Sequence, residues 1–213
     1  RIIGELGGVA AVHEAVREHL DSRPVQQAAC AAFRYLGAIR ENCRTMLDMD
    51  SVWLVQRAMS RHPHDLVLQR LGCSVFQHMK MPRHELCRVE VEGVLEAMRL
   101  HADDLELQQR GIATLQRLAV DARQRQSMHE MGGMELLQAA MWQHLEDAEV
   151  QRSGLQALHR LAVDEGTCRA INSMFGGSLV HASMTTHRVD AQVQTWGCVV
   201  LLLLQRLRGR GSV

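Results

Sequence analysis

The chain has 213 residues, 46% of them hydrophobic and only 3% aromatic, and its 24 Lys and Arg balance 24 Asp and Glu. That apolar content excludes a disordered chain and supports a sizeable core of Leu, Val, Ala and Met, while few aromatics and three Pro favour helices over strands. Zero formal charge argues against a protein that coats nucleic acid through overall basicity, and no apolar run approaches the roughly 18 residues that read as a membrane span.

The elements follow one pattern, repeated along the chain. Residues 1–39 begin with Arg1 to Leu6, which read as the end of a helix whose start is missing. A helix exit follows at Gly7-Gly8, where Gly supplies left-handed backbone. Next comes an amphipathic helix with Val12, Val16 and His19 on one face. After a short polar turn the second helix carries Val25-Gln-Gln-Ala-Ala-Cys-Ala-Ala-Phe33. Residues 40–82 add a short first helix at Asn42–Met46 and have Asp50-Ser51 at its exit. Then come Val55, Met59 and His62, Asp65 in the turn, and Leu68-Gln-Arg-Leu-Gly-Cys-Ser-Val-Phe76. Residues 83–121 are four residues shorter near their start and keep only Gly93 of the exit. Val94, Met98, His101 and Asp104 lead to Leu107-Gln-Gln-Arg-Gly-Ile-Ala-Thr-Leu115.

Residues 122–164 show every part: Gln124–Met128, Gly132-Gly133, Leu137, Met141, His144, Asp147 and Val150-Gln-Arg-Ser-Gly-Leu-Gln-Ala-Leu158. Residues 165–208 do the same with Thr167–Ile171, Gly176-Gly177, Val180, Met184, His187, Asp190 and Val193-Gln-Thr-Trp-Gly-Cys-Val-Val-Leu201. The nine-residue phrase and the His column both step by 43, 39, 43 and 43 residues. A basic, Gly-rich tail closes the chain at 209–213. One such unit cannot bury its apolar face alone, so stacking must complete the core.

Three helices per repeat, a period near 43 and a Gly-Gly exit resemble the armadillo family, and phrases such as Leu158-His-Arg-Leu-Ala162 and Leu115-Gln-Arg-Leu-Ala119 look like its third-helix signature. The two-helix HEAT repeat has a similar period, but the short first helix and the exit favour armadillo. The resemblance implies an all-α, right-handed α-solenoid of about five three-helix repeats forming a single domain. It further implies that the Gln-bearing helix lines a concave groove that binds a protein or peptide. Peptide-binding members often carry an Asn on that helix, and here the matching positions are Tyr35, His78, Arg117, Arg160 and Leu203. Nuclear-import adaptors use a Trp one turn earlier, where this chain has Ala31, Ser74, Ala113, Gln156 and Val199. Recognition of a basic import signal is therefore not expected.

The expected groove consists of Arg34, Tyr35, Arg70, Gln77, His78, Gln109, Gln116, Arg117, Arg152, His159 and Arg160. Guanidinium forks suit carboxylates or phosphates, so an acidic or phosphorylated peptide, or an acidic helix, is the expected occupant. RNA is disfavoured because few aromatics are available to stack on bases. Leu202 and Leu203 lie in the apolar run Val199–Leu204 of the last helix, a second expected contact. They carry the alternative function, a structural component packing laterally or end-to-end in a larger assembly. Both ends suggest a piece of a longer chain.

No cofactor, metal site or catalytic constellation is expected. His129-Glu130 lacks the second His of a zinc-protease motif, and no phosphate loop or nucleophile elbow occurs. A ladder of His about 10 Å apart cannot share one zinc ion, whose ligands sit about 2 Å from the metal, so the His column is expected to be structural. Six Cys without a C-x-x-C fit a cytoplasmic protein. Cys30, Cys73 and Cys198 share a column with Ile112 and Leu155 and are expected to pack in the core.

Overall fold

The computed structural model describes residues 4, 6–79, 88–163, 165–173 and 176–208. The shortened start of the third repeat, Cys87 and the tail 209–213 lie outside the described residues, as does most of Arg1–Leu6. Among those described the chain is all-α, with thirteen helices and no strand. No helix is long and apolar enough to cross a membrane.

The chain divides into two compact units, residues 1–101 and 102–213. The first contains α1 (Gly8–Glu18), α2 (Arg23–Leu36), α3 (Arg40–Asp48), α4 (Ser51–Arg61), α5 (Leu66–His78) and α6 (Arg88–Leu100). Here α2 packs along α5 as one row, and α1, α4 and α6 follow one another as a second row against it. Short α3 touches α1 and α4. Phe33, Phe76, Met46, Leu68, Leu95 and Met98 fill the space between.

The second unit contains α7 (Leu105–Leu118), α8 (Ala122–Glu130), α9 (Gly133–Gln143), α10 (Ala148–Leu161), α11 (Glu165–Ser173), α12 (Gly176–Thr186) and α13 (Ala191–Arg208). It repeats the layout: α7, α10 and α13 pack in sequence as one row, α9 and α12 form the other, and the short helices join them. The nine-residue helices α3, α8 and α11 enclose the segments expected as short first helices.

Local chemistry sets the helix starts. Asp65, Asp104 and Asp147 cap α5, α7 and α10 by accepting from the amides of Leu68, Leu107 and Val150 at 3.1, 2.8 and 2.8 Å. The exits before α1 and α9 are Gly7 and Gly132, at φ 80° and 71°. Asp50 takes the same left-handed conformation before α4, at φ 55°.

Candidate functional site

Three of the polar columns are consumed in holding the fold. The Gln column is turned inward. Gln26 donates to the Val16 and His19 carbonyls at 3.0 and 2.8 Å, and Gln69 to those of Met59 and His62 at 2.9 and 3.0 Å. Gln151 and Gln194 do the same to Met141 and His144, and to Met184 and His187. The first carbonyl of each pair lies in the last turn of the preceding helix, where intrahelical donors run out, and the His carbonyl also accepts from a turn amide, as His19 does from Ser22 and His144 from Asp147; one glutamine amide thus ties the helix end to the turn.

The His column joins successive turns. His62 Nε2 donates to the Leu20 carbonyl at 2.8 Å and His101 Nε2 to that of Pro63 at 2.7 Å. In the second unit His144 reaches the Ala102 carbonyl at 2.8 Å and His187 that of Leu145 at 2.7 Å. A carbonyl only accepts, so Nε2 carries the proton in each. Among the described residues no three His, Cys, Asp or Glu side chains converge as a metal site.

The capping Asp residues have a second task. Gln27 donates to both oxygens of Asp65 at 3.0 and 2.9 Å, Gln109 to both of Asp147 at 3.1 Å, and Arg152 Nε to Asp190 at 2.9 Å. Asp190 also accepts from the Val193 amide at 3.0 Å, and that bond, with help from Arg152, holds its carboxyl below the usual carboxylate range. Gln109 and Arg152, expected in the groove, are thus occupied by carboxylates 38 positions further along.

What remains exposed on the second helices differs between the units. In the first, Tyr35 is 68% exposed and Arg34 lies over its ring at 5.1 Å from the centroid. His78 is exposed, its Nδ1 donating to the Ser74 carbonyl at 2.8 Å, and Gln77 and Arg70 are half-buried.

In the second unit Gln116, Arg117, His159 and Arg160 come together at the C-terminal ends of α7 and α10. Arg160 Nη1 donates to the Gln116 carbonyl at 2.8 Å. The Gln116 and Gln156 amides bond to each other, a contribution that Gln156 made no claim to from sequence, although its register one turn before Arg160 points there. The His159 ring lies 5.2 Å from that of Trp196 on α13, tilted by 40°. Trp196 was likewise not anticipated as a site residue.

On α13, Leu202 is 57% exposed and Leu203 half-buried. Cys198 is exposed, while its column mates Cys30, Cys73, Ile112 and Leu155 are buried. In the second unit α10 packs against α7, and α13 against α10.

No protein-family model matches the chain, and neither does any curated protein. Among solved structures it is similar to the crystal structure of an engineered protein, a Northeast Structural Genomics Consortium target. The TM-score is 0.81 at 20% identity, over 96% of this chain and 82% of that one. The likeness is one of fold.

Proposed function

We propose that the chain is an α-solenoid of armadillo-like repeats and works as a non-catalytic protein-interaction module, binding a peptide or helix across its second helices. The repetition of the Gln, His and Asp bonds at one register supports the repeat reading, because each bond closes a unit onto itself or onto its neighbour. A cytoplasmic setting belongs to the same reading, since thiols stay reduced there.

One observation carries the binding reading. Arg160 places its guanidinium on the Gln116 carbonyl beside Arg117, and has no carboxylate partner among the described residues. Arg160 is half-buried at this edge, and a guanidinium fork suits an incoming carboxylate or phosphate. The test is affinity capture from native cell extract with the wild type and with Arg117→Glu/Arg160→Glu, circular dichroism verifying that both remain helical. A partner retained by the wild type and lost by the double variant sustains the reading. Identical partners with both sink it.

The exposure of Leu202, Cys198 and Val189 favours a second reading, a structural component of a larger assembly that packs through its last helix. In that case Leu202→Glu/Leu203→Glu abolishes capture and the arginine variant does not.

A further inference from the structure

Resting on the structural-component reading, we infer that a second copy of this chain is the partner, α13 of one copy stacking on α1 and α2 of the other. Two faces carry the inference, and each supplies one half of the contact already made between successive second helices. The first lies on α13. In α7 and α10, Gln109 and Arg152 reach forward to Asp147 and Asp190 of the next turn, so the side of the helix that carries them faces the following repeat. The matching residue of α13 is Thr195, and Cys198 and Leu202 follow it on the same side at helical spacing. All three are exposed, whereas Cys30, Cys73, Ile112 and Leu155 of the Cys198 column are fully buried. Leu201 is half-buried, while Phe33, Phe76, Leu115 and Leu158 in its column are fully buried.

The second face is a shallow groove lined by Ala11, Val12 and Ala15 of α1 and by Val25, Ala28 and Ala32 of α2. Ala11 and Ala28 are exposed and the other four half-buried. In the Val25 column Leu68, Leu107, Val150 and Val193 are fully buried, and in the Ala32 column so are Val75, Thr114, Ala157 and Val200. Small side chains leave room for the ridge of an incoming helix. The ridge of α13 at Thr195, Cys198 and Leu202 is uncharged, so burying it in this groove desolvates no ion.

The His column sets the register. His62, His101, His144 and His187 donate to the carbonyls of Leu20, Pro63, Ala102 and Leu145. Arg188 is the next residue of that carbonyl series, and His19, whose ring is exposed, is the first of the His series. Stacking that continues the repeat brings His19 Nε2 of one copy to the Arg188 carbonyl of the other. The two joined surfaces differ, so the contact is heterologous and either closes a ring or continues as an open row. It is also concentration-dependent, which leaves Cys198 free in dilute protein.

Sedimentation velocity of the full chain, from dilute to concentrated protein, tests this. Ala32→Glu blocks the groove and Cys198→Glu blocks α13, with circular dichroism verifying that both stay helical. Val25→Glu replaces Ala32→Glu if helicity falls, because Glu in the first turn of α2 suits the helix N-terminus. The wild type should gain mass with concentration, and each variant alone should remain a monomer. An equimolar mixture of the two variants should sediment at roughly twice the monomer mass, because one keeps an intact α13 and the other an intact groove, which restores a single heterologous contact. His19→Ala should weaken wild-type association about two- to tenfold, the loss of one hydrogen bond; association at wild-type strength overturns the in-register contact. If Ala32→Glu associates as the wild type does, the contact joins two α13 faces and the inference is overturned. A wild type that stays monomeric at every concentration also overturns it, and the structural-component reading is then decided separately by extract capture with Leu202→Glu/Leu203→Glu.

Discussion

The sulfur of Met141 occupies the space that a side chain at position 154 would need: a Cβ built on Gly154 would lie 2.5 Å from it and 2.7 Å from Met141 Cγ. Gly197 faces Met184 in the same way, its Cβ falling 2.5 Å from both Cγ and Sδ, and Gly72 faces Met59 more closely still. The first repeat pairs the smaller Val16 with Ala29 at the same two positions. Gly in the middle of a helix costs about 1 kcal/mol relative to Ala, and the buried methionine explains why that cost is borne.

Gly154→Ala is therefore expected to destabilise the protein by about 1–2 kcal/mol, overpacking against Met141 outweighing the gain in helix propensity. In a Met141→Val background the same substitution should become neutral or stabilising by up to about 1 kcal/mol, reproducing the first repeat. Urea unfolding of the four members of this cycle measures the coupling. Additive effects would mean that the two positions do not sense each other.

The buried glutamines make a second comparison. Gln151 donates to the Met141 and His144 carbonyls, and its Oε1 accepts from Ser183 at 2.6 Å. Gln26 makes the equivalent donations, but its buried Oε1 has no partner among the described residues. Removing either takes the donor from the Val16 or Met141 carbonyl, at about 1–3 kcal/mol for the orphaned group, while the His19 and His144 carbonyls keep the Ser22 and Asp147 amides. Gln151→Leu also removes the Ser183 bond to Oε1, although that hydroxyl keeps the Leu179 carbonyl at 2.9 Å, so it is expected to cost about 0.5–1.5 kcal/mol more than Gln26→Leu in thermal or urea unfolding. Equal costs would remove Ser183 from the account.

Asp190 links acid stability to a single residue. Its folded-state pKa is depressed, first by the Val193 amide and then by Arg152. A depressed carboxylate contributes stability above its unfolded pKa of about 3.9, and that contribution is lost as pH falls through the lower folded value. Asp190→Asn should flatten the loss of stability in that acid window. Arg152→Met should flatten it only in part, because the Val193 bond remains. Urea midpoints collected between about pH 2 and 6 read the slopes; a larger effect from Arg152→Met would reverse the assigned order of causes.

Much of the helix layout was legible because stacking demands periodicity. The Met-to-His spacing marked the first long helix, the Asp marked the start of the second, and the impossibility of five His sharing one ion pointed to their structural use. The candidate site was less legible for a local reason. Gln109, Arg152 and Arg160 look alike in a periodic sequence, all polar and all on the less buried side of their helices. Only the positions of Asp147 and Asp190 separate the first two from the third. The shared 38-residue interval of Gln27–Asp65, Gln109–Asp147 and Arg152–Asp190 was a usable signal, since a donor recurring at fixed distance from a capping carboxylate points to a tie between repeats. Cys198 misled for a different reason: a column's average environment does not hold for every member, and Cys198 is exposed where Cys30, Cys73, Ile112 and Leu155 are buried.

Asp50 is the non-glycine residue with positive φ among those described, at a position where Gly7 and Gly132 serve elsewhere. Its side chain makes no hydrogen bond to the start of α4, so nothing in the capping geometry offsets the conformation. Asp50→Gly should stabilise the protein by about 0.5–1 kcal/mol, the larger entropy of glycine in the unfolded chain taking back part of the steric gain. A lower melting temperature in the variant would mean that the aspartate carboxylate helps this turn by a route other than capping.

The cysteines give a prediction that needs no substitution at the reacting sites. Cys30 is fully buried and desolvation pushes its thiol up to about 12, so at neutral pH it holds almost no thiolate, the reactive form. Cys43, Cys73 and Cys168 are also buried, whereas Cys198 is exposed on α13. In a Cys87→Ser background, a chromogenic disulfide reagent at pH 7.5 should titrate one thiol rapidly and the other four only on unfolding. Peptide mapping should find the fast label on Cys198. If Cys198 is instead protected, the face of α13 that carries it is covered in solution. Protection that disappears on dilution, or in Leu202→Glu, would then move the assembly reading ahead of the groove.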